Sequence, residues 1–150
     1  MADSARKPRF NHVAMSLPSR QLEPDGRAEL CAFYGDVFGW VELPTETVDG
    51  AKLVFSVHDV QQFVFLVADD PPMTCRRMDH FGLSVATEPE LDDVLARAKA
   101  WRARDERVDI IDKAVEDHGV LSITNIYVGF LLPMMVEVQY WQFADVPTPS

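Results

Sequence analysis

The residues best placed to do chemistry in this 150-residue chain are two histidines and a glutamate. His12 lies in FNHVAMSL (10–17) and His80 in MDHFGLSV (78–85). The two segments align without gaps, with His and Ser identical and most other pairs conservative. His12 and His80 stand 68 residues apart (80 − 12), close to half the chain. Neutral imidazole is the commonest metal ligand near physiological pH. Glu137 interrupts the otherwise apolar MMVEV (134–138), where a charge is costly to bury unless it is paired or binds a metal. Two histidines and one carboxylate form the facial set used for divalent iron and related metals, with positions left open for substrate. The competing reading is two edge or core histidines that merely follow the repeat, and a strand whose polar face meets water.

These side chains need elements to hold them. Residues 9–17 read as a strand, and PDG (24–26) as a turn. Leu30, Cys31, Tyr34, Val37 and Phe38 share one helical face, with Gly39 placed to stop the helix. Strands follow at 40–43, within 47–58 and at 62–67. DDPPMT (69–74) reads as a linker, and 78–85 as the opening strand of a second half. Thr87-Glu88-Pro89-Glu90 is a capping box, and Leu91, Val94, Leu95, Ala98 and Trp101 make an apolar stripe behind it. Strand-like stretches return at 108–111, 120–132 and 135–143.

The order is therefore strand, helix and several strands, twice over. The predicted fold class is α+β, a single domain over 1–150, with module one at about 9–70 and module two at about 76–143. Two such βαβββ units can wrap their sheets around a shared cavity. If His12 faces inward, alternation brings Ala14 and Ser16 with it, and the repeat does the same for His80, Gly82 and Ser84. Small residues beside an inward histidine leave room for a ligand. On the last strand Glu137 shares a face with Gln139 and Trp141.

Composition removes other functions. A net charge of −10 and a pI near 4.7 oppose binding to nucleic acid or an anionic membrane. The start of the chain lacks a signal-like apolar run, and no stretch approaches a membrane span, which predicts a cytoplasmic protein. Cys31 and Cys75 read as free thiols. His58 and His118 fall in turns and read as solvated, and both termini read as frayed. No glycine-rich phosphate loop, serine nucleophile elbow or Cys-x-x-Cys is present.

NHVAMSL, CAFYGDVFGWVEL and the pair DHFGLSV/VEVQYW resemble the vicinal oxygen chelate superfamily over roughly residues 9–143. That group includes glyoxalase I, bleomycin resistance proteins and extradiol dioxygenases. The resemblance implies two βαβββ modules forming a cupped mixed sheet. It also implies metal ligands on the first and last strand of each module, and His12, His80 and Glu137 match three of those four places. The fourth departs from the pattern. Phe63 and Phe65 are the expected inward residues there, with Gln61 and Gln62 as ligands only in a shifted register. By its spacing before Glu137, Tyr127 resembles the active-site tyrosine of the dioxygenases, although their acid/base histidine is replaced by Phe65. The basic cluster of fosfomycin-modifying members is missing. The usual turn before the last strand is altered to FLLPMM (130–135), whose apolar side chains could line a pocket mouth or a subunit contact.

The resemblance thus implies a divalent metal (Fe, Mn, Zn or Ni) on His12, His80 and Glu137, binding a small-molecule substrate through oxygens. Tyr127 and Glu137 would be catalytic, and Phe63, Phe65 and Trp141 would wall the substrate. A homodimer is expected. Isomerase, lyase and dioxygenase chemistry all stay open. So do metal-free ligand sequestration of the bleomycin-resistance type and an interaction subunit docking through FLLPMM.

Overall fold

Both halves open with a strand whose odd residues are apolar and whose even residues are small or polar. In the computed structural model, which describes residues 7–44 and 50–145, those strands are β1 (His12–Leu17) and β5 (His80–Val85). The remaining elements are α1 (Pro24–Phe38), β2 (Val41–Glu42), β3 (Lys52–Ser56), β4 (Phe63–Ala68), α2 (Glu88–Arg102), β6 (Asp109–Asp117), β7 (Leu121–Gly129) and β8 (Met135–Phe143). The expectations for the extreme termini, and for the start of the 47–58 stretch, fall mostly outside the described residues.

The strands form two four-stranded sheets of identical topology, β1-β4-β3-β2 and β5-β8-β7-β6. In each, the opening strand pairs in parallel with the last strand of its module, and the other pairs are antiparallel. This is the predicted βαβββ duplication. Strand alternation then sorts the faces. Met15 and Leu17 point into a core shared by both modules, as do the partly buried Phe81, Leu83 and Val85, while His12, Ala14, His80, Gly82 and Ser84 face away from it. That core gathers Phe33, Tyr34, Leu53 and Leu66 from module one with Leu91, Ile126, Val128 and Val136 from module two.

Helix α2 forms as predicted. Thr87 caps it, and Glu90 Oε2 accepts the backbone N–H of Thr87 at 2.9 Å. Helix α1 ends at Gly39, whose φ of +73° suits a residue without a Cβ. Its start differs from expectation. PDG is the first turn of the helix, because Pro at the first helical positions has no N–H to lose. Gly26 is required there by space. A Cβ on it would sit 2.4 Å from the Gln21 carbonyl oxygen in the preceding 3-10 turn (Ser19–Leu22). Helix propensity alone would favour Gly26→Ala by about 1 kcal/mol. Backbone overlap reverses the sign, so the variant is expected to melt below the wild type. A higher melting temperature would show that the turn yields.

FLLPMM is not an exposed docking strip. Phe130 and Met135 are buried, and Leu131, Leu132 and Met134 pack against the core. The reason is an anchor. Tyr34 Oη donates to the Phe130 carbonyl at 2.9 Å, tying α1 to the β7–β8 connection, and burial pushes the Tyr34 hydroxyl far above its ordinary range. Two more bonds join the helices: Trp101 Nε1 donates to Asp36 Oδ2 at 2.6 Å, and Arg97 Nε to the Val37 carbonyl at 3.2 Å.

Candidate functional site

The face of the second sheet turned away from the core carries a connected polar cluster. Parallel pairing sets Gly82 of β5 opposite Glu137 of β8, and antiparallel pairing sets Tyr127 of β7 on the other side of Glu137. Glu137 is only 5% exposed, one of three buried polar or charged residues among those described. A buried carboxylate needs partners, and it has them. Gln139 Nε2 donates to Glu137 Oε1 at 2.9 Å, and the Tyr127 hydroxyl hydrogen-bonds the same carboxylate. His80 Nε2 stands 3.3 Å from Glu137 Oε2. Gly82 leaves Oε2 uncrowded, since even a Cβ there would stand 3.5 Å from that oxygen.

His80 is held in one orientation. Its Nδ1 lies 2.7 Å from the Met78 carbonyl, which can only accept, so Nδ1 carries the proton. In the neutral ring Nε2 is then a lone pair beside a carboxylate oxygen, the tautomer a metal ligand needs. The Tyr127 ring meets the His80 ring edge-on at 5.0 Å. Burial first, and then the Glu137 carboxylate beside it, push the Tyr127 hydroxyl up, so it stays a proton donor near neutrality.

In module one the corresponding positions lie along β1 and β4. His12 stacks on Phe63 with ring centroids 4.8 Å apart, and its Nδ1 approaches Asn11 Oδ1 at 2.6 Å. Ala14 pairs with Phe65 just as Gly82 pairs with Glu137. Phe65, one of the two phenylalanines expected there, therefore stands at the structural equivalent of the carboxylate. Gln61 and Gln62 lie before β4, outside the ladder, so the shifted register that would make them ligands does not occur.

The sheets' outer strands β1 and β5 flank a cleft of about 740 Å³, lined by His12, Phe38, Trp40, Phe63, Phe81 and Ser84 among others. Gly82 lines it too. Phe38 and Trp40 come from the end of α1 and the residues after it; the helical spacing marks Phe38 only as an apolar-face residue and does not mark Trp40, and both belong to an aromatic stack with Tyr34. Trp141 is 46% exposed, with its ring 6.2 Å from Phe143.

The structure thus brings His80, Glu137 and Tyr127 together and leaves His12 in the cleft wall. Among the described residues, no three His, Cys, Asp or Glu side chains converge into a group able to hold a metal ion. The expected trio is accordingly not gathered within one chain. Cys31 is half-buried, its thiol pushed up to about 11 by burial and by Glu42, which makes it a poor nucleophile. No helix among the described residues is long and apolar enough to cross a membrane.

Neither a family model nor a curated protein matches the sequence. Solved structures do match the fold. A lactoylglutathione lyase from Agrobacterium tumefaciens is 18% identical, with TM-score 0.58, over 89% of this chain and 94% of that one. The fosfomycin resistance protein FosX from Listeria monocytogenes is 14% identical, with TM-score 0.60, over 93% and 96%. A glyoxalase/bleomycin resistance protein/dioxygenase from Nocardioides is 14% identical, with TM-score 0.56, over 96% and 90%. A FosX variant was solved with manganese(II) and a dihydroxypropylphosphonic acid. The chain shares the two-module fold of these structures.

Proposed function

We propose that this chain is a small-molecule protein of the vicinal oxygen chelate type that holds one divalent metal on His80 and Glu137, with His12 supplied by the β1 strand of a second copy. The observation that carries the proposal is the 3.3 Å approach of His80 Nε2 to Glu137 Oε2, with the histidine held in its metal-binding tautomer. Two donor atoms at that separation can share one cation, and a buried carboxylate gains from doing so. FosX, of the same fold, takes manganese(II). A bound divalent cation there would act as a Lewis acid toward neighbouring oxygens of a substrate.

This chain's own residues do the rest. The Tyr127 hydroxyl hydrogen-bonds the Glu137 carboxylate and would turn that donor to a substrate oxygen when a cation engages the carboxylate. Phe63 and Phe65, on the sheet face that carries His12, exclude water from the apolar part of the substrate, and Trp141 walls the open side. The position that would supply a fourth protein ligand is Phe65, which sets the site apart from a four-ligand isomerase.

Zinc titrated into chelator-treated protein tests the ligand set. Glu137→Gln and His80→Ala are each expected to weaken binding by more than about 100-fold, since loss of an outer-shell partner alone typically costs 10–100-fold. Wild-type affinity in both variants would sink the proposal. A metal-free sequestering role is the second reading, favoured by Phe65 at the carboxylate position and by the aromatic cleft. It predicts that stabilisation by an apolar ligand persists in chelator.

A further inference from the structure

We propose that Gln139 and Trp141 are positioning residues for Glu137, and that the Trp141 indole determines which carboxylate oxygen is offered to a ligand. The inference rests on the reading of Glu137 as the working carboxylate. Residues 137, 139 and 141 occupy alternate positions of β8 and so share a face. Trp141 Nε1 donates to Gln139 Oε1 at 2.8 Å, and Gln139 Nε2 donates to Glu137 Oε1 at 2.9 Å.

The chain of bonds has one direction. An indole N–H can donate and cannot accept. Gln139 must therefore turn its carbonyl to Trp141 and its NH2 group to Glu137. That NH2 group only donates, so Glu137 Oε1 is the oxygen that accepts from it. The Tyr127 hydroxyl also hydrogen-bonds the Glu137 carboxylate. Oε2 faces His80 Nε2 and is uncrowded by Gly82, so it is the oxygen presented to a cation shared with that nitrogen. Asn125, opposite Gln139 on β7, is engaged elsewhere: its Nδ2 donates to Glu116 Oε1 at 3.1 Å. Replacing the indole by a phenyl ring would leave the Gln139 amide held at one end only. Trp141 therefore acts through its polar edge, in addition to the apolar wall its ring provides.

Zinc affinity of the full chain, measured for Trp141→Phe, Gln139→Met and the double variant, is the first test. Each single change is expected to weaken zinc binding about tenfold, the low end of outer-shell effects. The double variant should bind no more weakly than Gln139→Met, because Trp141 works only through the amide. Single effects that multiply, or a Trp141→Phe protein with wild-type affinity, overturn the inference. A second readout needs no metal. The indole proton–nitrogen cross-peak of Trp141, identified by its loss in Trp141→Phe, should move in Gln139→Met and also in Glu137→Gln, which does not touch the indole. A cross-peak unmoved in Gln139→Met refutes the relay. If wild-type protein binds no zinc, the metal reading fails while the cross-peak still decides the relay.

Discussion

Mixing His12→Ala protein with Glu137→Gln protein, after brief unfolding and joint refolding, is expected to restore about one quarter of the wild-type zinc sites, although neither variant alone retains them. The expectation follows from where the ligands lie. His80 and Glu137 belong to β5 and β8 of one sheet, and His12 to β1 of the other. Within one chain the three do not converge. Among the described residues both β1 and β5 are outer strands, with no strand paired on one side. A two-fold dimer that brings β1 of one copy to β5 of the other would build two equivalent sites, each with His12 from one copy and His80 and Glu137 from its partner. In a mixed dimer, one site then holds both defects and the other holds none. Random mixing makes about half of the dimers mixed, hence the quarter. Zinc binding by the wild type with no recovery on mixing would mean that His12 serves the same chain or does not bind metal at all.

Phe33→Ala is expected to cost about 3–5 kcal/mol, the usual range for deleting a buried phenylalanine. Phe33 is fully buried. Its ring lies 4.4 Å from Phe130 and 5.4 Å from Trp101, both in module two, and 5.0 Å from Tyr34 in its own helix. A side chain that bridges the modules cannot be replaced by local collapse of one of them. The loss compares with a total stability of about 5–15 kcal/mol for a domain of this kind. Urea denaturation followed by far-UV circular dichroism reads it as a lower midpoint at unchanged slope. Phe33→Leu, which keeps most of the volume, should cost far less. A Phe33→Ala loss under about 1 kcal/mol would place the joint between the modules elsewhere.

Much of the fold could be read from residue order alone because its signals are local. Alternation in FNHVAMSL and MDHFGLSV predicts which side chains share a face, and β1 and β5 obey it. The capping box and the Gly39 stop follow from the backbone needs of a helix end. The start of α1 is not legible in the sequence, since PDG serves a turn or a first helical turn equally well until Gln21 lies against Gly26. The strand at 108–111 grew to β6 (Asp109–Asp117) because its polar outer half is stabilised by pairing with β7, a long-range effect that composition does not record.

The candidate site divides in the same way. Sequence by itself determined the duplicated strand, the symmetric histidines, the lone carboxylate and the aromatic residue at the fourth position, since each is a matter of spacing and type. Only tertiary structure decided that His80 and Glu137 touch, that Gln139 and Trp141 tie down one oxygen, that FLLPMM packs against the core and that His12 stands apart. The physical reason is that alternation is a property of one strand, written every second residue. The meeting of side chains from different strands depends on register, on the hydrogen bonds available at each atom and on how two modules share one core.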